Sequence, residues 1–178
     1  MKLLPILLSL VIATPALAAF VFSPNVGYYS QEREETLPAD SSYKTTELRL
    51  DARIGYILPM GLYVGGMYAS TNSDDGTTNN GGSMIGPTIG YYSMMGFYSL
   101  FTYHIIGELE EGVSKYTGAQ GPQADIGWIF PISSFFAIGP QLTWRSIEYD
   151  KLETAGVSVE SNRKDTSIAP YVSLWFMF

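Results

Sequence analysis

The chain has 178 residues and no cysteine, with 10 Lys+Arg against 17 Asp+Glu for a net charge of −7. Without thiols there is no disulfide framework, thiol nucleophile or thiolate metal site. The acidic balance argues against nucleic acid and against simple attraction to anionic lipid, and the length fits one domain.

The first element reads as a secretory leader. Lys2 precedes an apolar run from Leu3 to Ile12, and Thr14-Pro15-Ala16-Leu17-Ala18 offers an Ala-x-Ala cleavage site. The run is too short for a membrane anchor, and no stop-transfer pattern follows it. Cleavage near Ala18 is expected, leaving residues 19–178 as a single barrel domain. Removing Lys2 leaves 9 cations against 17 anions, a net charge of −8.

No later run approaches the roughly 18 apolar residues of a spanning helix, and helical periodicity is absent. Turn signals cut the mature chain into eight segments. Short breaks fall at Pro59-Met60-Gly61, Met94-Met95-Gly96 and Pro131-Ile132-Ser133. Long polar breaks at 32–44, 71–82, 109–116 and 150–164 alternate with them. Strands are expected near 20–31, 45–58, 62–70, 83–93, 97–108, 117–130, 134–149 and 165–178, each rich in Val, Ile, Thr, aromatic residues or Gly.

Alternation is clear in several of them. In the second strand, Leu48, Leu50, Ala52, Ile54 and Tyr56 oppose Glu47, Arg49, Asp51 and Arg53. In the fifth, Phe97, Phe101, Tyr103 and Ile105 oppose Tyr98, Leu100, Thr102, His104 and Ile106, and the second set is assigned inward. In the sixth, Pro122, Ala124, Ile126, Trp128 and Phe130 oppose Gln123, Asp125 and Gly127. In the seventh, Phe136, Ile138, Pro140, Leu142 and Trp144 oppose Ala137, Gly139, Gln141, Thr143 and Arg145. The eighth carries Ile168, Pro170, Val172, Leu174, Phe176 and Phe178 on one parity.

An open edge of that kind invites aggregation in water, whereas closure into a barrel removes it. The expected fold is all-β: an eight-stranded antiparallel up-and-down transmembrane β-barrel. A soluble eight-stranded barrel would put its apolar face inside. Three features favour the inverted version: the short and long loops alternate, the last strand ends on Phe178, and aromatics gather near strand ends. Phe20, Phe22, Tyr56, Phe97, Trp128, Phe130, Phe136 and Phe178 mark one rim; Tyr68, Trp144 and Tyr149 mark the other.

Pro24, Pro87, Pro122, Pro140 and Pro170 fall inside expected strands, each after Ser, Gly or Ala and each on the outward parity. Proline removes a ladder hydrogen bond, so a belt of bulges or weakened pairings is expected there.

In layout the chain resembles the small outer-membrane β-barrel proteins of Gram-negative bacteria; the OmpX, OmpW and OmpA-transmembrane-domain types are nearest in size. The resemblance is most specific at Val172, Leu174, Phe176 and Phe178, and it implies that these four residues act as the signal for the barrel-insertion machinery. It also implies residence in the bacterial outer membrane among lipid and lipopolysaccharide, with short turns in the periplasm and long loops outside.

Glu47, Arg49, Asp51, Arg53, Asp125 and Arg145 are expected to form an interior polar plug, because a barrel of this size is just wide enough for side chains to fill and buried charges must pair. His104 is the only histidine. Glu108 lies on the same face but roughly 13 Å along the strand, too far for a catalytic dyad. Asn72 to Asn80 carries oxygen ligands but lacks the spaced acids of a dedicated cation loop, and reads as turn chemistry.

No cofactor, metal or catalytic residue is expected. The reading is a non-enzymatic barrel of structural or surface-interaction type, with external ligands met through the loops at 32–44, 71–82, 109–116 and 150–164. A narrow porin-like channel or lateral conduit is the alternative, for which Gly65, Gly66 and the proline belt would supply a gap. A lipid-modifying enzyme is more distant.

Overall fold

A computed structural model describes residues 18–35, 41–74, 79–154 and 156–178. The leader, apart from Ala18, lies outside them. So do the tips of the first two long hairpins.

Eleven strands follow in chain order: β1 (Ala19–Glu35), β2 (Ser41–Ile57), β3 (Leu62–Asp74), β4 (Asn79–Tyr92), β5 (Phe97–His104), β6 (Ile106–Glu111), β7 (Ser114–Thr117), β8 (Gly121–Trp128), β9 (Phe130–Pro131), β10 (Phe136–Thr154) and β11 (Val157–Met177). β5 with β6 forms one stave, and β7, β8 and β9 form another. The result is a closed antiparallel up-and-down barrel of 8 staves. β1 pairs with β2 on one side and β11 on the other, so no edge remains. Reciprocal 2.9 Å bonds between the backbones of Phe20 and Phe178 complete the seam.

The wall is inverted relative to a soluble barrel. Leu50, Ile54, Tyr56, Ile89, Phe101, Ile126, Leu142 and Val172 are exposed, while Asp51, Arg53, Gln123, Asp125, Thr143 and Arg145 are buried. With no water in the hydrocarbon layer, such a wall is stable facing lipid and costly facing solvent.

The strands run further than polarity suggested. β1 and β2 stay paired out to Glu35 and Ser41, and β10 and β11 out to Thr154 and Val157. Much of the expected long loops is therefore strand. Backbone pairing does not depend on side-chain polarity, and above the membrane both faces meet water, so alternation fades while the ladder persists.

Two side chains differ from expectation. Ile106 faces outward. β5 pairs with β4 in one register and β6 in a register shifted by one, so the extra residue at Tyr103–Ile105 is a bulge that flips the parity beyond it. Tyr149 is buried in the lumen and belongs to no girdle. It shares the inward parity of Arg145 and Ile147.

The ladders break or end at all five prolines, each time on one side. The β1–β11 ladder skips Ser23 and Pro24, the pairings of β4 with β5 and β6 skip Gly86 and Pro87, and β10 loses its partner at Pro122 and again at Gly139–Pro140. The β1–β11 ladder ends at Tyr171, next to Pro170. At the three Gly-Pro pairs the cause is plain. Proline has no N–H for the opposing carbonyl, and that carbonyl instead closes on the preceding glycine: Tyr103 O on Gly86, Ser146 O on Gly121 and Trp128 O on Gly139. A Cβ at any of the three would strike that oxygen. The missing side chain of glycine leaves room for that close approach.

Candidate functional site

Among the described residues, buried polar chemistry converges in the lumen, and it is layered. At the short-turn end lies an apolar floor of Val21, Ile57, Tyr63, Tyr98, Leu100, Ile129, Ala137 and Trp175. Trp175 is at its centre, with ring centroids 4.9 Å from Tyr98, 5.6 Å from Tyr92 and 6.1 Å from Tyr63. Aromatic pairs at such spacing add to their area burial. Glycines on the neighbouring strands seat the bulk: a Cβ at Gly127, the cross-strand partner of Tyr98, would meet the Tyr98 ring, and one at Gly55 would lie 2.8 Å from the Tyr63 hydroxyl. The rings lie over the backbone of the adjoining strand, and a side chain there would leave them no room.

Above the floor sits the charged layer. The Arg53 guanidinium donates to Asp125 at 2.6 Å and to Gln141 Oε1 at 3.1 Å, with both charged side chains fully buried. Arg145 donates to both Asp51 oxygens at 2.9 Å and to Gln123 Oε1 at 2.7 Å. Asp125 also accepts from Gln123, Gln141 and Thr143. On the seam, Asn25 accepts a short hydrogen bond from Ser173, whose oxygen in turn accepts from the Trp175 indole at 2.8 Å. These bonds tie β1 to β11, and the Tyr98 hydroxyl, donating to Gln141 Oε1 at 2.9 Å, ties floor to plug. Each buried charge therefore has an opposite charge and further hydrogen bonds, the condition under which burial is tolerated.

The third pair lies higher. Arg49 binds Glu47 at 2.5 Å and the Ser167 hydroxyl at 2.7 Å. These two line a cup of about 270 Å³ open at the long-hairpin end, together with Arg145, Tyr149 and Arg163. Arg163 crosses the cup. It binds Glu111 at 2.5 Å and Asp165 at 3.0 Å, and its guanidinium lies 4.4 Å from the Tyr116 ring centre and 5.7 Å from that of Tyr149. Burial alone would lower its pKa. The hydrogen bonds it donates to Glu111 and Asp165 outweigh that and raise it.

All six expected plug residues thus point inward, but as three separate pairs: Arg53–Asp125, Arg145–Asp51 and Arg49–Glu47. The first two share one network through Gln123; the third stands at the floor of the cup. The sequence reading missed the aromatic floor and the stacking of Arg163. Trp175 carried a signal for the floor, as the bulkiest residue on the inward parity of the last strand.

His104 is buried, with Nε2 3.0 Å from Gln123 Oε1. No carboxylate or hydroxyl is bonded to it among the described residues. Among those residues there is also no cluster of three His, Asp or Glu side chains able to hold a metal ion. Gly65 and Gly66 lie in unbroken ladders on both sides, so they make no gap.

Val172, Leu174, Phe176 and Phe178 share the outward parity. Phe176 stacks on Phe22 at 6.2 Å and on Phe136 at 5.0 Å, and Phe178 lies 6.2 Å from Phe20. They form an aromatic collar around the seam at the short-turn rim.

No family model matches the sequence, and no curated protein does. Among solved structures, Neisserial surface protein A (NspA) matches 90% of this chain and 99% of its own, with a TM-score of 0.55 at 10% identity. The fold is that of a small outer-membrane β-barrel. Two other matches are too distant to carry argument. One is the beta domain of the Bordetella autotransporter BrkA, with a TM-score of 0.38 at 10% identity over 89% of this chain and 98% of that one. The other is OmpT, an outer membrane protein of Vibrio cholerae, with a TM-score of 0.38 at 12% identity over 88% and 52%.

Proposed function

We propose that this chain is a bacterial outer-membrane protein of structural or surface-interaction type: a plugged barrel without enzymatic activity that meets its ligands through the long-hairpin end. Export uses the leader, cleaved near Ala18. The Val172, Leu174, Phe176 and Phe178 collar is the part offered to the insertion machinery, and the apolar wall is solvated by outer-membrane lipid and lipopolysaccharide. The short turns lie on the periplasmic side.

The observation that carries this reading is the layered lumen. A solute entering the cup meets a paired charge layer and, beneath it, a floor of packed rings. Breaking either layer is unfavourable, because parting buried ion pairs and unpacking an aromatic core each cost several kcal/mol. The burial of His104 behind Gln123 favours a structural role over acid–base catalysis. The hairpins at the open end are acidic, with Glu108, Glu110 and Glu111 on β6 and Glu148, Asp150 and Glu153 on β10, the two strands that flank β7. A basic partner would be steered to that end.

The test is liposome swelling. The mature protein is refolded, its folded state is checked by a heat-modifiable gel shift, and it is reconstituted with small neutral and charged solutes outside. Swelling no faster than protein-free liposomes is expected. Swelling graded by solute size would establish the channel instead.

A further inference from the structure

The barrel carries its charge at one end only. Among side chains, the segments 54–73, 76–107, 126–144 and 166–178 contain no Lys, Arg, Asp or Glu, and they include all three short turns. What the turns do present is apolar. Met60 is 93% exposed, Met94 102%, Met95 79%, Ile132 64% and Phe135 52%. Met60 does so from a left-handed backbone, φ 66°, which is costly for a residue other than glycine.

The length of the wall says where this end lies. Counting down β11 from Ile168, the last outward apolar residue before Lys164 and Thr166, the strand reaches Phe178 in eleven residues. Counting down β10 from Trp144, it reaches Phe136 in nine. A tilted strand needs roughly 9–11 residues to cross the hydrocarbon layer. The crossing is thus used up by the time the strands reach the turns, and nothing remains to carry the turns into water. The apolar turns are also continuous with the lipid-facing wall.

We propose that the short turns form a membrane-embedded surface. Met60, Met94, Met95, Ile132 and Phe135 sit in the headgroup–acyl boundary of the periplasmic leaflet, and the barrel ends flush with that leaflet and presents no periplasmic face. Their partner is phospholipid. Ser93, Ser133 and Ser134 supply the hydroxyls at the level where the headgroups begin. This inference rests on the membrane-spanning reading above, and it makes recognition by the protein one-sided: everything it binds in water meets the long-hairpin end.

The chain has no cysteine, so single-cysteine variants report cleanly. Met60→Cys, Met94→Cys and Ile132→Cys, each fully outside the core, are labelled with an environment-sensitive fluorophore and refolded into phosphatidylcholine vesicles. Leu142→Cys marks the lipid-facing wall and Glu153→Cys a long hairpin. Quenching is read with a nitroxide placed high on the acyl chain and with aqueous iodide. The turn sites are expected to show at least about half the nitroxide quenching of Leu142, and iodide quenching about threefold below that of Glu153, as for side chains in the interface. If Leu142 is quenched by lipid while the turn sites follow Glu153, the turns stand in water and this inference falls alone. If Leu142 also escapes the nitroxide, the membrane-spanning reading falls with it. Turn sites shielded from both quenchers, with shielding that vanishes on dilution of protein in lipid, would mean a second copy covers them and would equally overturn the proposal.

Discussion

The two halves of the lumen solve the same problem by different means. Toward the short turns, space is filled with rings seated on glycines, and no side chain carries charge. Toward the long hairpins, space is shared between three ion pairs, a stacked arginine and a looser apolar cluster of Met67, Met84, Leu109, Ile147 and Tyr149. Aromatic packing holds by shape, so its cost of disruption scales with cavity size. The charged layer holds by pairing, so its cost appears when one partner is removed and largely vanishes when both are. Of the three pairs, only Arg49–Glu47, at the cup, keeps some exposure, whereas Arg53–Asp125 and Arg145–Asp51 are buried and rest on pairing and hydrogen bonds.

The largest effects should come from the charged layer. Arg53→Met leaves Asp125 buried and unpaired, at a cost of about 3–5 kcal/mol. The double change Arg53→Met with Asp125→Leu should recover most of that loss. Urea unfolding in lipid vesicles reads both; equal loss in the single and double variants would mean that the pair is not the unit of stability. Trp175→Ala should cost about 3–4 kcal/mol as a cavity in a packed core, yet leave the barrel impermeable because the ion pairs above still close it. Permeability in that variant would show that the floor alone makes the seal.

A smaller effect tests the wall. A Cβ at Gly139 meets the Trp128 carbonyl oxygen, whereas one at Gly66 has its nearest neighbour 3.8 Å away. Gly139→Ala should destabilise by about 2–3 kcal/mol and Gly66→Ala by under about 1, by the cost of backbone overpacking. Equal costs would dismiss the Gly-Pro account of the ladder breaks. In the crown, Arg163→Ala should cost only about 1 kcal/mol, as a part-exposed ion pair with ring stacking. Lys164→Ala, whose pair with Glu148 is more than half exposed, should cost less than about 0.5.

Much of this was legible in the sequence, and what was not has a common cause. Alternation of polarity reports which way a side chain points only where one face meets lipid and the other does not. It identified Arg49, Asp51, Arg53, Asp125 and Arg145 as inward, and Leu50, Ile54 and Leu142 as outward. Above the membrane the signal fades, so the continuation of β2 up to Ser41 and β11 up to Val157 read as loop. Ile106 was misassigned because a one-residue bulge carries no compositional mark. Tyr149 was set in a girdle by residue type when its parity with Arg145 put it in the lumen. The pairing partners were not readable at all, since Arg53–Asp125 and Arg145–Asp51 depend on register across the barrel.

The central claim is that the lumen is closed, and planar-bilayer conductance of the refolded mature protein tests it most directly. The account predicts a bilayer that stays at baseline, for the native chain and for Arg49→Ala alike. Reproducible single-channel steps, altered when Arg49 or Asp125 is neutralised, would make the charged layer a pathway and contradict the account.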